Sequence, residues 1–534
     1  MKVDKLHIRS RFKNLEDIKV DFAEDHLMTV IVGRNGSGKS NILEALVAIF
    51  RNLDLGEAPP FSYTLKYQLG QCSTQNKPSE RWLEVIIDAD PARGTLSKQY
   101  EVSVRDLLAE EPVDLLGEDL APQFIPIPFS KVKRNKNGEA DYLPNYVFSY
   151  YSGPSDRLES YFKKHRTDFY RRLLKEELDL KGDIRPLFYA KPNHSQFVLL
   201  AFFLSQQDSS EKTFLKEHLG IEGLDSIHFV MRQPNWAKQK GELFWGARGV
   251  VRRFLDELIK HSLSPVKVTR QEDTSLTGNN VRNEFFHLFL PDLESLQEFA
   301  KDLSPDELFK MLESTLLSEI ISELSIRVKV SSSDEPLTFR ELSEGEQQLL
   351  TVLGLLKFTG GKDSLFLLDE PDTHLNPSWA AKYLKFLREF VPNHDTSHLL
   401  MVTHHPLAIA ELEKGQIQVM KRNNEDQIYA TIPDESPRGM GINLILRSDM
   451  FGLKTTLDDD TNQKLTARNS IAAKDILSED KVVREYGCSP ETEEEYLSRI
   501  NADLDKLGFN MATDDPDYLE FLREKYHSSE KAND

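Results

Sequence analysis

"FRELSEGEQQLL", residues 339–350, decides how the rest of this chain is read. Its Ser-Glu-Gly core heads an apolar run. Ser343 therefore stands where a helix begins, with free amides and positive dipole character that suit an anion. Ser343 and Glu346 also have the spacing of a capping box, in which each side chain satisfies the other's amide. The chain carries a second phosphate grip, "GRNGSGKS" at 33–40, and 303 residues separate Lys39 from Ser343. Two such grips so far apart need a common explanation.

The earlier stretch has phosphate-loop spacing: Gly33, four residues, Gly38, Lys39 and Ser40. It lies between an expected strand, "LMTVIVG", and an expected helix, "NILEALVAIFRNL", whose Ile42, Leu43, Leu46, Val47 and Phe50 recur at helical spacing. Residues Gly33, Arg34, Asn35, Gly36, Ser37, Gly38, Lys39, Ser40 and Asn41 are thus candidate nucleotide-binding residues. Glycines let successive amides converge on a phosphate, Lys39 reaches the β- and γ-phosphates, and the Ser40 hydroxyl holds Mg²⁺.

"SLFLLDEP" at 364–371 supplies the complement. A buried strand delivers Asp369 to the Mg²⁺ shell, and Glu370 follows where it can polarise a water for attack on the γ-phosphate. "VTHHP" at 402–406 ends another apolar strand. His404, directly after Val402-Thr403, is the candidate γ-phosphate sensor, with His405 the alternative and a plain strand cap a third reading.

Bulk properties narrow the setting. The 534 residues allow two to four domains, and no stretch has the length and apolarity of a membrane span; "QFVLLAFFL" at 196–204 is too short. Two cysteines, Cys72 and Cys488, lie far apart without metal spacing, which points to a reducing cytoplasm. A formal charge of −20 argues against nonspecific nucleic-acid coating. Any direct nucleic-acid contact would need a local basic patch, for which "KVKRNKNG" at 131–138 and "FKKHRTDFYRRLLK" at 162–175 are candidates, each equally readable as a solvated surface.

Strand and helix patterns suggest an α/β domain split by an insertion. The expected layout is an N-terminal half over 1–154, a mostly helical insertion over 155–330, a C-terminal half over 331–440 and an acidic region over 441–534. Helices are expected at "YRRLLKEELDL", "EEEYLSRINADLDKLGF" and "PDYLEFLREKYH" among others, and no sustained heptads call for a coiled coil. From residue 489 onward there are 13 acidic and 5 basic residues, a net charge of −8 that excludes direct DNA binding there and suits either a basic partner or a solubilising tail.

"LSEGEQQ" is similar to the signature of the ABC-type ATPases, so the chain resembles an ABC-type P-loop ATPase head of the SMC/RecF-like branch, with an inserted helical lobe. The resemblance implies that Ser343, Gly345 and Glu346 complete a site whose ATP and Mg²⁺ sit on another copy's phosphate loop. It therefore implies a head-to-tail homodimer, or higher oligomer, around two ATP molecules. It also places "EPDTHLNP" at 370–377 in the dimer-contacting loop, with Asn376 where Asp is usual. "YYSGPSDR" at 150–157 falls where a Mg²⁺-facing Gln is common; none is present, and Ser152 is the candidate. Lys13 and Asn14 of "RSRFKNL" occupy the position of an N-terminal nucleotide contact.

Within that branch the chain resembles the PtuA-type ATPases of Septu and retron anti-phage defence, related to the OLD family. The likeness rests on "GRNGSGKSNILEAL", "YYSGPSDRLE", "RELSEGEQQLL", "LLDEPDTHLNP", "MVTHHP" and, most specifically, "GMGINLILRSDMFGL" at 439–453. It implies an HNH endonuclease (PtuB-like) as partner and, in retron versions, a reverse transcriptase with its DNA–RNA hybrid. OLD-type proteins append a Toprim nuclease, but "LDDDTNQ" at 457–463 lacks the preceding apolar strand ending in Glu-Gly, so nuclease activity is expected in a partner. The competing reading is an SMC/RecF-like DNA-repair ATPase that clamps duplex DNA itself.

Overall fold

The computed structural model describes residues 1–71, 81–109, 123–135, 140–174, 185–206, 209–237, 243–273, 280–472 and 493–509. Cys72, Cys488, residues 136–138 of the first basic stretch, residues 175–180 of the second and its helix, and the helix expected from 516 lie outside the described residues. The described chain divides into two compact units, Met1–Ile445 and Leu446–Asp534.

A seven-stranded sheet organises the first unit. Its order is Ile428–Thr431, Ile417–Arg422, Met28–Gly33, Ser397–Val402, Ser364–Asp369, Tyr146–Tyr151 and Leu187–Tyr189. All neighbours run parallel except the Ile428–Thr431 edge. Met28–Gly33, Ser364–Asp369 and Ser397–Val402 are buried at every position, as strands covered on both faces must be. Because these three strands are neighbours and parallel, their C-terminal ends bring Gly33, Asp369 and Val402 to one edge of the sheet. That edge is where a phosphate loop, a carboxylate and a histidine can meet.

A six-stranded antiparallel sheet runs in the order Ile18–Asp21, Lys2–Ile8, Tyr63–Gly70, Trp82–Ala89, Tyr100–Asp106 and Ile125–Ile127. Tyr63–Gly70 alternates strictly between buried and half-buried positions, the period of a sheet with one face on a core. Helix Lys39–Leu55 is covered from both sides. Phe50 meets Tyr67 of this sheet with ring centroids 5.7 Å apart, and the same core takes in Leu367 and Leu400 of the parallel sheet. Eleven of the helix's 17 residues are buried, more than the single stripe its apolar spacing predicts, because two layers enclose it.

The expected mostly helical insertion over 155–330 also contains strands that its local periodicity does not predict. Leu187–Tyr189 belongs to the parallel sheet, and helix His194–Leu204, buried at nine of its 11 positions, packs where Gly354 of helix Glu344–Thr359 leaves room for Val198. Beyond it lies a five-stranded antiparallel sheet: Val266–Asp273, Asn280–Leu290, Ile221–Arg232, Ile321–Val330 and Ser333–Thr338. Helix Gly249–His261 follows strand Ile221–Arg232, and helices Leu293–Phe299 and Pro305–Leu317 lie between strands Asn280–Leu290 and Ile321–Val330. Those strands pair across long sequence separations, as Ile227 does with Leu290 and Ile326. Local periodicity reports the amphipathic helices and is silent on such pairing.

In the second unit, helices Asp459–Ala472 and Glu493–Lys506 pack together, with Lys464 Nζ 3.4 Å from Asp503 Oδ2. The acids of "LDDDTNQ" start the first of them. Asp458 Oδ1 accepts from the Thr461 amide at 3.0 Å, and Asp460 pairs with Lys464 at 2.9 Å. They serve as cap and first-turn charges. No helix among the described residues is long and apolar enough to cross a membrane.

Candidate active site

The loop after strand Met28–Gly33 turns into helix Lys39–Leu55 through Gly38, whose φ of +87° is closed to most side-chain-bearing residues. The helix N-terminus and its loop open onto a cavity of about 630 Å³ lined by Asn14, Asn35, Gly36, Gly38, Lys39, Ser40, Asn41, Arg157, Glu370 and His404. Six of the candidate phosphate-loop residues are therefore on the wall. Gly33 and Arg34 act through their carbonyls, which accept from Lys39 Nζ at 2.9 and 3.0 Å. Ser37 Oγ is buried without a hydrogen-bond partner, an orphan that a phosphate oxygen could satisfy.

Ser40 Oγ donates to Asp369 Oδ1 at 2.8 Å, so the hydroxyl and carboxylate expected to share a cation are already adjacent. Asp369 is fully buried. Burial raises its pKa from the usual carboxylate value, against the pull of Ser40 and Arg157. Burial likewise pushes the Lys39 ammonium down to about 8, though Glu370 and Asp369 oppose it. Incoming phosphate charge would offset that desolvation. A hard divalent cation takes oxygen ligands of this kind, and Mg²⁺ fits the Ser40–Asp369 pair.

Glu370 follows in a left-handed conformation, φ +52°, which turns its side chain back to the cavity. His404 Nε2 lies 3.0 Å from Glu370 Oε1, and this hydrogen bond lowers the Glu370 pKa. His405 has a different job: its Nδ1 accepts from the Leu407 amide at 3.3 Å and caps the turn at Pro406–Ile409. Of the two histidines, the structure brings His404 to the site.

Lys13, expected to contact nucleotide, does not line the cavity; its ammonium is held at 2.5 Å by Glu44 Oε2, a buried carboxylate on helix Lys39–Leu55. The neighbour Asn14 does the touching: its Nδ2 donates to the Gly36 carbonyl at 3.1 Å, and its Oδ1 accepts from Asn41 at 2.6 Å. Ser152, the candidate at the missing Gln, bonds Thr373 Oγ1 at 3.1 Å and is likewise absent from the lining. Arg157, in the same quoted stretch, reaches Asp369 Oδ2 at 2.5 Å. An arginine three residues past the Gly153-Pro154 pair gives no local signal of that contact.

Ser343, Gly345 and Glu346 stand apart from this cavity. Ser343 is exposed at the start of helix Glu344–Thr359, in a reciprocal capping box with Glu346. Gly345 lies so close to the loop after Glu370 that a Cβ would sit 2.5 Å from the His374 carbonyl. Gln348, unremarked in the signature, ties the two segments together. It donates to the Glu370 carbonyl at 3.4 Å and accepts from the His374 amide at 3.1 Å. Asn376 is an N-cap, its side chain accepting from the Trp379 amide at 2.9 Å at the start of helix Pro377–Phe390.

Two family models match segments of the chain: "AAA ATPase domain" over residues 1–149 and "AAA domain, putative AbiEii toxin, Type IV TA system" over 253–410. The chain is 26% identical to the Septu protein PtuA of Bacillus mycoides (strain KBAB4) over 187 residues, 33% of this chain and 26% of the relative. It is 23% identical to the Septu protein PtuA of Bacillus thuringiensis over 178 residues, 29% of this chain and 44% of the relative. It thus spans less than half the length of either curated relative. Among solved structures, the SMC head domain from Thermotoga maritima aligns at 12% identity over 81% of this chain and 99% of that chain, with a TM-score of 0.28. The ATPase-head fold rests on the sheet order and loop placement described above together with the family models. These matches bear out the resemblance to PtuA-type ATPases.

Proposed function

We propose that the protein is the ATP-binding and ATP-hydrolysing component of a Septu-type anti-phage defence system. Two copies pair head to tail around ATP, and the cycle controls a separate HNH endonuclease. Supporting the chemistry is one cavity that gathers a phosphate loop, a Ser40–Asp369 pair, and Glu370 held by His404.

The residues divide the work. Loop amides and Lys39 bind the phosphates, and Ser40 with Asp369 would hold Mg²⁺, which would supply neutralisation of phosphate charge. Glu370 accepts a proton from the attacking water, while His404 keeps that carboxylate ionised and aimed. The observation that carries head-to-tail pairing is the exposure of Ser343 away from its own chain's cavity. A helix N-terminus turned outward is free to meet the phosphates held by a second copy.

Defence, rather than repair, is favoured by the similarity to two Septu proteins and by the acidic balance of −20, which disfavours DNA as this chain's own ligand. The nuclease partner, the reverse transcriptase and a cytoplasmic setting remain part of this proposal. Sedimentation with and without Mg-ATP tests the pairing: the protein should shift from monomer to dimer with ATP and back with ADP. Tight, ATP-dependent binding of duplex DNA by the purified chain at physiological salt would reverse the choice in favour of a DNA clamp.

A further inference from the structure

The Asp369 carboxylate has both oxygens engaged: Ser40 Oγ at 2.8 Å on one and Arg157 Nη2 at 2.5 Å on the other. We propose that Arg157 is a triphosphate-sensing residue, occupying Asp369 until a metal–nucleotide complex arrives and then engaging the terminal phosphate. This rests on the ATPase reading of the cavity.

The guanidinium is held by few contacts. Its carbon lies 4.5 Å from the Tyr151 ring centroid, and its Nε is buried without a hydrogen-bond partner. Asp369 and one aromatic face therefore fix its position. A divalent cation bound between Ser40 and Asp369 would put two positive charges beside that guanidinium. The carboxylate is fully buried, so solvent screens the repulsion poorly. Arg157 lines the same cavity as Lys39, Glu370 and His404; because His404 already engages the Glu370 carboxylate, phosphate oxygens are the incoming anions that can take the guanidinium once Asp369 is occupied. A planar guanidinium fork suits a phosphoryl group better than a point charge does.

The carrying loop is joined to the catalytic strand end. The Ser152 amide donates to the Asp369 carbonyl at 3.3 Å, and Ser152 Oγ meets Thr373 at 3.1 Å. Arg157 then leads into helix Glu159–Leu174. A move of Arg157 from carboxylate to phosphate is thus coupled to the segment that follows Glu370. ADP, lacking the terminal phosphate, offers the displaced arginine no γ-phosphate oxygen.

Calorimetric titration of the full chain with ADP and with the non-hydrolysable analogue AMP-PNP, each across a Mg²⁺ series, tests this. Arg157→Ala should cut the preference for AMP-PNP over ADP by about tenfold or more, the worth of one charged hydrogen-bond partner. The same change should lower the Mg²⁺ concentration that ADP binding requires, because Asp369 is released. Arg157→Lys keeps a positive charge and should recover part of the preference; it also carries the test if the alanine variant does not fold. An AMP-PNP to ADP ratio unchanged in both variants overturns the role of Arg157 alone. A wild-type chain that binds neither nucleotide overturns the ATPase reading, and this proposal with it.

Discussion

His404 Nε2 stands 3.0 Å from Glu370 Oε1 at the rim of the cavity that Lys39 enters. The proposed mechanism gives the two residues separate tasks, proton acceptor and orienting donor. Glu370→Gln keeps size and hydrogen bonding but removes the base. We expect nucleotide binding to persist and turnover to fall by about 10² to 10⁴-fold. Dimers should then accumulate with ATP, visible by mass photometry. Phosphate release at the wild-type rate in this variant would remove Glu370 from the mechanism. His404→Ala should slow turnover less, since it disturbs the base without deleting it.

Ser343 caps its own helix and faces away from its own phosphate loop. If each site borrows this helix from a second copy, two dead variants can rescue one another. Lys39→Ala and Ser343→Arg should each abolish hydrolysis alone. In an equal mixture half of the dimers are mixed, and each mixed dimer has one intact site of two, so about a quarter of wild-type activity should return. Recovery requires that one site can fire without the other. Rescue should vanish on dilution below the dimerisation range, and activity of Ser343→Arg by itself at the wild-type level would refute the shared site.

What could be read from the chain follows how local each cause is. The phosphate loop, the Asp369–Glu370 strand end and the signature are short runs whose chemistry depends on adjacent residues, and the structure gathers the first two around one cavity. Arg157, Asn14 and Gln348 act through contacts 212, 22 and 22 residues away in sequence, to Asp369, Gly36 and Glu370. No spacing rule reaches those distances. Lys13 and Asn14 show the limit of a loop motif: it marks the loop, but side-chain direction differs between the two neighbours, sending the Lys13 ammonium to Glu44 and Asn14 to Gly36. The antiparallel sheet within 221–338 was missed for a related reason. Strand identity depends on distant partners, and the amphipathic helices beside it gave the stronger local signal.

Asn376 departs from the residue usual at that loop position, and its cap geometry says what the departure costs. Its side chain accepts from the Trp379 amide at 2.9 Å, a role that Asp fills equally well with added dipole complementarity. Asn376→Asp should leave the melting temperature unchanged or slightly raised. Asn376→Ala should cost about 1 kcal/mol by denaturant titration. Equal stability of the alanine and aspartate variants would mean that the cap contributes nothing.

Glu313 provides a test of how the insertion is held together, away from any nucleotide. It is buried on helix Pro305–Leu317, where Oε1 accepts from Arg185 at 2.8 Å and Oε2 meets His194 at 2.7 Å. The triad ties that helix to the start of helix His194–Leu204 and to the segment leading into strand Leu187–Tyr189. Burial pushes the Glu313 carboxyl up, but His194 and Arg185 outweigh it and hold the pKa at about 2, below the ordinary 4.5. A depressed carboxylate adds stability above its unfolded value, and that stability fades as pH drops toward the folded one. Glu313→Gln should therefore destabilise the protein by about 3–5 kcal/mol at neutral pH, because the Arg185 charge is left buried without its partner. The gap between wild type and variant should narrow as pH falls from about 4.5 toward 2, since the wild type progressively loses the same contribution. Urea titrations of both proteins across that range measure it. A variant as stable as wild type at neutral pH, or a gap that widens in acid, would show that the triad does not hold these elements together.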